Sequence, residues 1–139
     1  MSQENVELAR AGYAVLNQVY KTGDLEPLRR HIEETVHLDC VLAASDVTFQ
    51  GEWHGRQGML DFISDQMDAL DDLWVRPEEY IDVEDRLVVP IRWGGRAKEA
   101  QIEVEFSSVH VYAMRDGKAV RVQMYEDMAQ AREAGALRG

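Results

Sequence analysis

The stretch from Ile102 to Tyr125, IEVEFSSVHVYAMRDGKAVRVQMY, decides the fold. On either side of Asp116-Gly117 its side chains alternate in character with a period of two, the spacing of a β-strand. Asp116-Gly117 is a strong signal for a tight hairpin turn, because both residues tolerate the positive φ that such turns need. Pairing Arg115 with Lys118 across that turn sets a register. Val111 then faces Val122 and Val109 faces Met124, and with Ala113 and Val120 they form an apolar face, assigned here to the helix side. The other face carries Tyr112 opposite Arg121, His110 opposite Gln123, and Ser108 opposite Tyr125. A slip of one residue would exchange the two faces.

Two further strands precede the hairpin, Trp74 to Glu84 and Leu87 to Trp93, joined by a turn at Glu84-Asp85-Arg86. Pro90 cannot donate to a ladder, so its strand has an edge or a bulge there. Upstream of Leu73 the period becomes helical. Val6, Ala9, Tyr13, Leu16 and Tyr20 share one face of a helix over residues 2–22, which Gly23 ends. Asp24 caps a short second helix bearing Leu25, Leu28 and Ile32. Val36 to Val41 is a short strand, and Ala43 to Gly51 a loop. A third helix runs from about Gly55 to Asp72, with Met59, Phe62, Ile63, Met67 and Leu70 as its buried stripe. Asp127 to Gln130 resembles a capping box and starts a short C-terminal helix. Helices first and strands second means α+β. A long, twisted, mostly antiparallel sheet would curl around the helices and leave a cone open at one end.

The chain of 139 residues suits one domain, 1–139. At 45% hydrophobic and 29% charged it is composed like a globular protein. A net charge of −11 argues against nucleic acid or an anionic membrane as partner, since both need a basic footprint. One cysteine, Cys40, leaves no internal disulfide and no thiolate-rich zinc site, which fits a reducing cytoplasm. No signal peptide and no membrane-length apolar run are present. The four histidines lack ligand spacing. The row Asp61, Asp65, Asp68 and Asp72 reads as a solvated helix face, so no metal is expected. No phosphate loop, nucleophile elbow or dinucleotide fingerprint occurs, so no cofactor is expected.

The order of elements and several motifs resemble the SnoaL-like group of the nuclear transport factor 2-like superfamily, over essentially the whole chain. The residues that carry the resemblance are Gly23-Asp24-Leu25, Val36-His37-Leu38-Asp39, Trp53-His54-Gly55-Arg56-Gln57-Gly58, Tyr80-Ile81-Asp82, Val104-Glu105, Val109-His110-Val111-Tyr112, Arg115-Asp116-Gly117-Lys118 and Tyr125-Glu126-Asp127. The resemblance implies an α+β barrel of the cone type with an interior pocket, and often a homodimer formed through the outer sheet face. It does not fix a function, because this fold hosts isomerases, dehydratases, cyclases, epoxide hydrolases and proteins with no chemistry.

Asp39 lies close to where ketosteroid isomerases of that superfamily carry their aspartate base. In an apolar pocket its raised pKa would make it a usable base. The isomerase oxyanion hole is not retained, since Leu16 and Val109 stand at its positions. Nor is there a convincing Asp–Arg–Asp set of the epoxide-hydrolase kind. Alternation places His37 and Asp39 on one strand face. His110 has two readings: a member, with Tyr112, Arg121 and Tyr125, of a dimer interface, or an acid or base in a polar pocket. Tyr13, Tyr20, Trp53, Phe62, Trp93 and Tyr125 are the candidate ligand-binding residues. The expected function is that of a small-molecule pocket protein. One form is a cofactor-free acid–base enzyme (isomerase, cyclase, dehydratase or hydrolase) acting on a small apolar cyclic compound, with Asp39 and His110 catalytic. The alternative is a non-catalytic ligand-binding or scaffold protein.

Overall fold

Two helices lead the chain, α1 (Ser2–Thr22) and α2 (Glu26–Thr35). The computed structural model describes residues 2–45 and 49–136. Gly23, at φ 76°, makes the left-handed turn between the helices, and its N–H reaches the Val19 carbonyl at 2.8 Å. Asp24 starts α2 by accepting the Glu26 N–H at 3.1 Å. The strands are β1 (Val36–Ser45), β2 (Gln50–His54), β3 (Leu70–Pro77), β4 (Ile81–Val83), β5 (Arg86–Ala97), β6 (Glu103–Arg115) and β7 (Lys118–Tyr125). Helix α3 (Gly55–Ala69) separates β2 from β3, and α4 (Met128–Glu133) ends the described chain.

The seven strands form one sheet in the order β2-β1-β7-β6-β5-β3, with β4 also paired to β5. All neighbours are antiparallel except β1 and β7. The fold is the expected α+β cone: a curled, mostly antiparallel sheet with the N-terminal helices against its concave side. Helix α1 is fastened to the edge strand β3 by Asn17. Its amide donates to the Val75 carbonyl at 2.8 Å and its oxygen accepts the Val75 N–H at 2.9 Å.

Element limits differ from the sequence reading in three places. The stretch from Ala43 to Gly51 is not a loop throughout. β1 continues to Ser45, and Ala43 and Ala44 pair with Glu52 and Gly51; residues 46–48 lie outside those described. Helix α3 stops at Ala69 because Leu70 and Asp71 pair with Ala97 and Arg96 of a β5 longer than expected. Pro77 ends β3, and the chain rejoins the sheet at Ile81 as β4.

The consequential difference is in register. Arg115 pairs with Lys118 as expected, and Met114 with Ala119, but Ala113 then pairs with Arg121. Val120 is therefore an extra residue, a β-bulge. Beyond it every partner moves by one: Tyr112 faces Val122, His110 faces Met124 and Val109 faces Tyr125. His110 and Tyr112 point toward the helices and not outward. A second irregularity lies in β1, where Val36 pairs with Ala119 but Val41 already pairs with Arg121. The excess residues bulge out, so His37, Leu38 and Asp39 are all exposed, and only Cys40 turns inward.

The apolar core lies mostly between the helices and the concave face. Val19, Cys40, Phe62, Leu87 and Val89 are at or below 1% exposed there. The convex face has its own cover. Val88, Val109, Val111 and Tyr125 pack against Ala131 and Ala136. Asp127 caps α4 by accepting the Gln130 N–H at 2.8 Å. Val109 and Val111 are buried as their chemistry demands, but beneath α4. Of the residues expected at a dimer interface, His110 and Tyr112 turn inward, Tyr125 lies under α4 and Arg121 is exposed.

Phe62 is 1% exposed and meets Trp53 and Phe49 edge-on at 4.8 and 5.2 Å between ring centroids. Phe62→Ala should cost about 3–5 kcal/mol in urea unfolding, the usual loss for a large buried aromatic. Asp127→Ala should cost about 1 kcal/mol, the value of one helix cap.

Candidate functional site

A cavity of about 140 Å³ opens between α1, α2 and the concave face of the sheet. Its wall is largely apolar, with Leu16, Leu28, Ile32, Leu42, Met59, Ile63, Leu87, Val122 and Met124 among its lining residues. Part-exposed lining residues come from α1 and α2 (Asn5, Leu8, Gly12, His31 and Thr35) and also from α3 (Met59) and β6 (Met114). A Cβ on Gly12 would come within 3.1 Å of His31 Nε2, so the glycine leaves the imidazole its room. Burial pushes His31 down, against a weaker opposite pull from Glu34. A second, smaller chamber of about 30 Å³ adjoins it, lined by Leu16, Tyr20, Phe62, Gln66, Val75, Ile91, Trp93, His110 and Met124. Leu16, His110 and Met124 belong to both walls.

One polar cluster interrupts the apolar wall. Tyr13 Oη lies 2.8 Å from His110 Nδ1 and 2.6 Å from Tyr112 Oη. The Tyr13 and His110 rings stack at 5.9 Å, and Tyr112 meets both edge-on. Tyr13 comes from the core stripe of α1. His110 and Tyr112 come from alternate positions of β6 and face inward beside their β5 partners Val89 and Leu87. Burial pushes the His110 imidazole down to about 4, because a charge there would lose its hydration. The Tyr13 phenol is raised well above its ordinary value by burial first and by the neighbouring Tyr112 second. Burial raises Tyr112 too, against the opposing effect of its hydrogen bond with Tyr13. All three groups are consequently neutral near pH 7.

Two neutral patterns run the hydrogen bonds head to tail through Tyr13. In the first, Tyr13 donates to Nδ1 and Tyr112 donates to Tyr13, leaving Nε2–H and a Tyr112 oxygen with only lone pairs to offer. In the second, Nδ1–H donates to Tyr13, Tyr13 donates to Tyr112, and the Tyr112 hydrogen is free to meet a ligand. Nε2 is then a bare base. The chain can exchange these patterns by shifting each proton one place, so acceptance at one end is coupled to donation at the other.

The sequence-derived candidates divide clearly. Tyr13 and His110 line the large cavity, while Tyr20, Phe62, Trp93 and His110 line the small chamber. Asp39 does not reach either. It is exposed in the β1 bulge, where its own N–H binds His37 Nδ1 at 3.1 Å. Exposed and away from both cavity walls, it cannot meet a ligand in the cone, so Asp39 is withdrawn as the catalytic group. Trp53 packs on Phe62 outside both cavities. Tyr125 lies on the convex face under α4, where it cannot meet a ligand in the cone. Sequence reasoning missed Tyr112 as a site residue because of the register. It also missed Gln66, a lone amide inside the apolar stripe Phe62-Ile63-Met67-Leu70, which was the available signal. Gln66 is 7% exposed and accepts the Tyr20 hydroxyl at 2.8 Å. Cys40 is buried, and desolvation raises its thiol to about 11, so it is no nucleophile. Among the described residues no cluster of His, Cys, Asp or Glu could hold a metal. No helix among them is long and apolar enough to cross a membrane.

His110 affects stability with a definite sign. Its folded pKa lies below the unfolded value, so the unfolded chain binds the proton more readily between about pH 4 and 6.5. Stability is full above that window and falls as pH drops through it, by up to on the order of 3 kcal/mol from this group. Urea unfolding against pH should show this slope, and His110→Gln should remove its share. His31, also pushed down, acts in the same direction.

The comparisons agree with this architecture. The SnoaL-like domain profile matches residues 10–122. No curated protein matches significantly. Among solved structures, TerC co-crystallised with polyporic acid is 24% identical over 94% of this chain and 96% of its own, with a TM-score of 0.70. A protein from Catenulispora acidiphila DSM 44928 with a ketosteroid isomerase-like fold, in complex with trimethylamine, is 12% identical, with 89% and 88% of the two chains covered and a TM-score of 0.72. The epoxide hydrolase/cyclase-like enzyme SalBIII, of pyran ring formation in the polyether salinomycin, is 14% identical over 92% and 94%, with a TM-score of 0.71. At these identities the likeness is one of fold, while the profile covers most of the chain: this protein belongs to the SnoaL-like domain family.

Proposed function

We propose that the protein takes up a neutral, ring-sized apolar compound carrying one carbonyl or similar oxygen, and moves a proton on it using protein groups alone. The observation that carries this reading is the buried Tyr112–Tyr13–His110 chain at the wall of an open apolar cavity. A cavity near 150 Å³ holds about one benzene ring, so one six-membered ring is the part of the ligand that the wall encloses. Apolar contact would supply most of the affinity and the polar cluster the orientation. In the second proton pattern Tyr112 donates to the ligand oxygen, stabilising the enolate-like charge that forms when a proton leaves the neighbouring carbon. The bare Nε2 of His110 takes that proton where the two cavities adjoin, since His110 lines both. Isomerisation and ring closure through an enol are the reactions this arrangement serves. Two proteins of similar fold, TerC co-crystallised with polyporic acid and SalBIII of pyran ring formation, are in keeping with ring-compound chemistry.

A pure carrier is the second reading. What favours it is that burial drives all three polar groups toward neutrality, which suits holding a ligand as well as transforming it.

Cyclohexanone separates the two. It should bind, seen by perturbed methyl signals of cavity residues in NMR titration. Tyr112→Phe should weaken binding about five-fold, the value of one neutral hydrogen bond near 1 kcal/mol, and should leave methylcyclohexane unaffected. If the acid–base reading holds, the protein accelerates exchange of cyclohexanone α-hydrogens in D2O, and His110→Gln abolishes it. Binding without exchange would make the protein a carrier. Failure of both ring compounds to enter would overturn the pocket assignment.

A further inference from the structure

The small chamber beside His110 has polar walls with unused capacity. Gln66, on α3, spends its oxygen on the Tyr20 hydroxyl. The described residues supply no partner for its amide hydrogens. His110 spends Nδ1 on Tyr13, and the described residues supply no partner for Nε2. Tyr13 and Tyr112 line only the large cavity, whereas His110 lines both. The two nitrogens of an imidazole diverge. With Nδ1 turned to Tyr13, the Nε2 edge is the part of the ring left for the small chamber. The remaining walls, Leu16, Phe62, Val75, Ile91, Trp93 and Met124, close it apolarly.

We infer that the small chamber is a binding site for one water molecule, and that this water fixes the direction of the Tyr–Tyr–His hydrogen-bond chain. The volume suits it: about 30 Å³ exceeds the roughly 10–15 Å³ one water needs, and two to four polar partners are the usual requirement. Gln66, His110 and the Tyr20 oxygen are three.

Counting donors then selects the tautomer. The water accepts one Gln66 amide hydrogen. Its own two hydrogens need acceptors, and the chamber offers the Tyr20 oxygen, Nε2 and the second lone pair of the Gln66 oxygen. If Nε2 carries a proton, one water hydrogen is left with the Gln66 oxygen, which Tyr20 already occupies and which a water held by the same amide reaches at a bent, weaker angle. If Nε2 is bare, both hydrogens are satisfied. The water therefore holds the proton on Nδ1. Nδ1–H donates to Tyr13, Tyr13 donates to Tyr112, and Tyr112 presents its hydrogen to the large cavity. A molecule in one chamber thus sets the donor in the other. It also gives Nε2 a partner from which a proton can be replaced. This deepens the acid–base reading, but the site and tautomer can be tested without any ligand or turnover.

A high-resolution crystal structure of the unliganded protein should show one density peak within about 2.6–3.2 Å of Gln66 Nε2 and His110 Nε2. In 15N NMR of the same protein, His110 should show a pyrrole-type Nδ1 and a pyridine-type Nε2. Gln66→Leu should empty the chamber and move the Nε2 resonance most of the way toward the pyrrole type. Gln66→Met, closer in shape, serves the same purpose if Leu disrupts folding. An empty chamber in the unmodified protein would overturn the inference. So would a protonated Nε2 there, or a tautomer that ignores the loss of Gln66. The chamber is read without ligand and the acid–base reading by α-hydrogen exchange, so an empty chamber with exchange intact overturns this inference alone, and a filled chamber without exchange overturns the acid–base reading alone.

Discussion

One extra residue in one strand sets the chemistry of the interior. Val120 interrupts the β6–β7 ladder, and every pairing beyond it moves by one place. Since side chains alternate across a sheet, that single step decides which half of β7 shares the cone with β6. With the bulge, Val122 and Met124 stand opposite Tyr112 and His110, which face the helices beside Leu87 and Val89 of β5 and meet Tyr13. Without it, Arg121 and Gln123 would take the places of the two apolar residues. The bulge is also what lets both faces of the hairpin be buried. Alternation delivers the valines to the convex side, where α4 covers them, while the polar aromatics enter the cone. The short C-terminal helix is thus a requirement of the register.

The buried cluster is built without a formal charge. A carboxylate placed in the cone would need a counterion or would take up a proton, at a cost of several kcal/mol. Two phenols and an imidazole avoid that, because each can satisfy another. The Nδ1 and hydroxyl distances of 2.8 and 2.6 Å show the satisfaction directly. The price is low intrinsic basicity. Such a cluster acts by coordinated donation and acceptance and not by a strong base alone. This is why the exposed Asp39, the more obvious group by residue type, contributes nothing to the cavity.

The architecture was legible in the sequence because it rests on period and punctuation. The helix stripes, Gly23, Asp116-Gly117 and Asp127 all act locally, and apart from Leu70, which begins β3, each is found where its chemistry places it. The site was legible only in part. Tyr13 could be placed from its stripe. His110 and Tyr112 could not be given a face, since bulges at Val120 and in residues 37–40 leave no mark on alternation that a single sequence exposes. The same irregularity in β1 misled the reading of Asp39. Tyr125 was misassigned because nothing local says that α4 folds back over the convex face. Gln66 was visible as a polar residue in an apolar stripe. Its meaning depends on Tyr20 and the chamber, which come together only in three dimensions.

The Asn17 clamp on β3 has a consequence for association. β3 is the last strand on its side of the sheet, and one flank of an edge strand normally leaves N–H and C=O groups free to recruit another chain. At Val75 both groups are already taken by one side-chain amide of α1. Asn17 behaves there as a one-residue substitute for a neighbouring strand. The sheet cannot grow outward through Val75, either into a continuous sheet shared by two copies or into an aggregate, unless α1 first releases its hold. The helix that supplies Tyr13 to the interior also closes the sheet's open border.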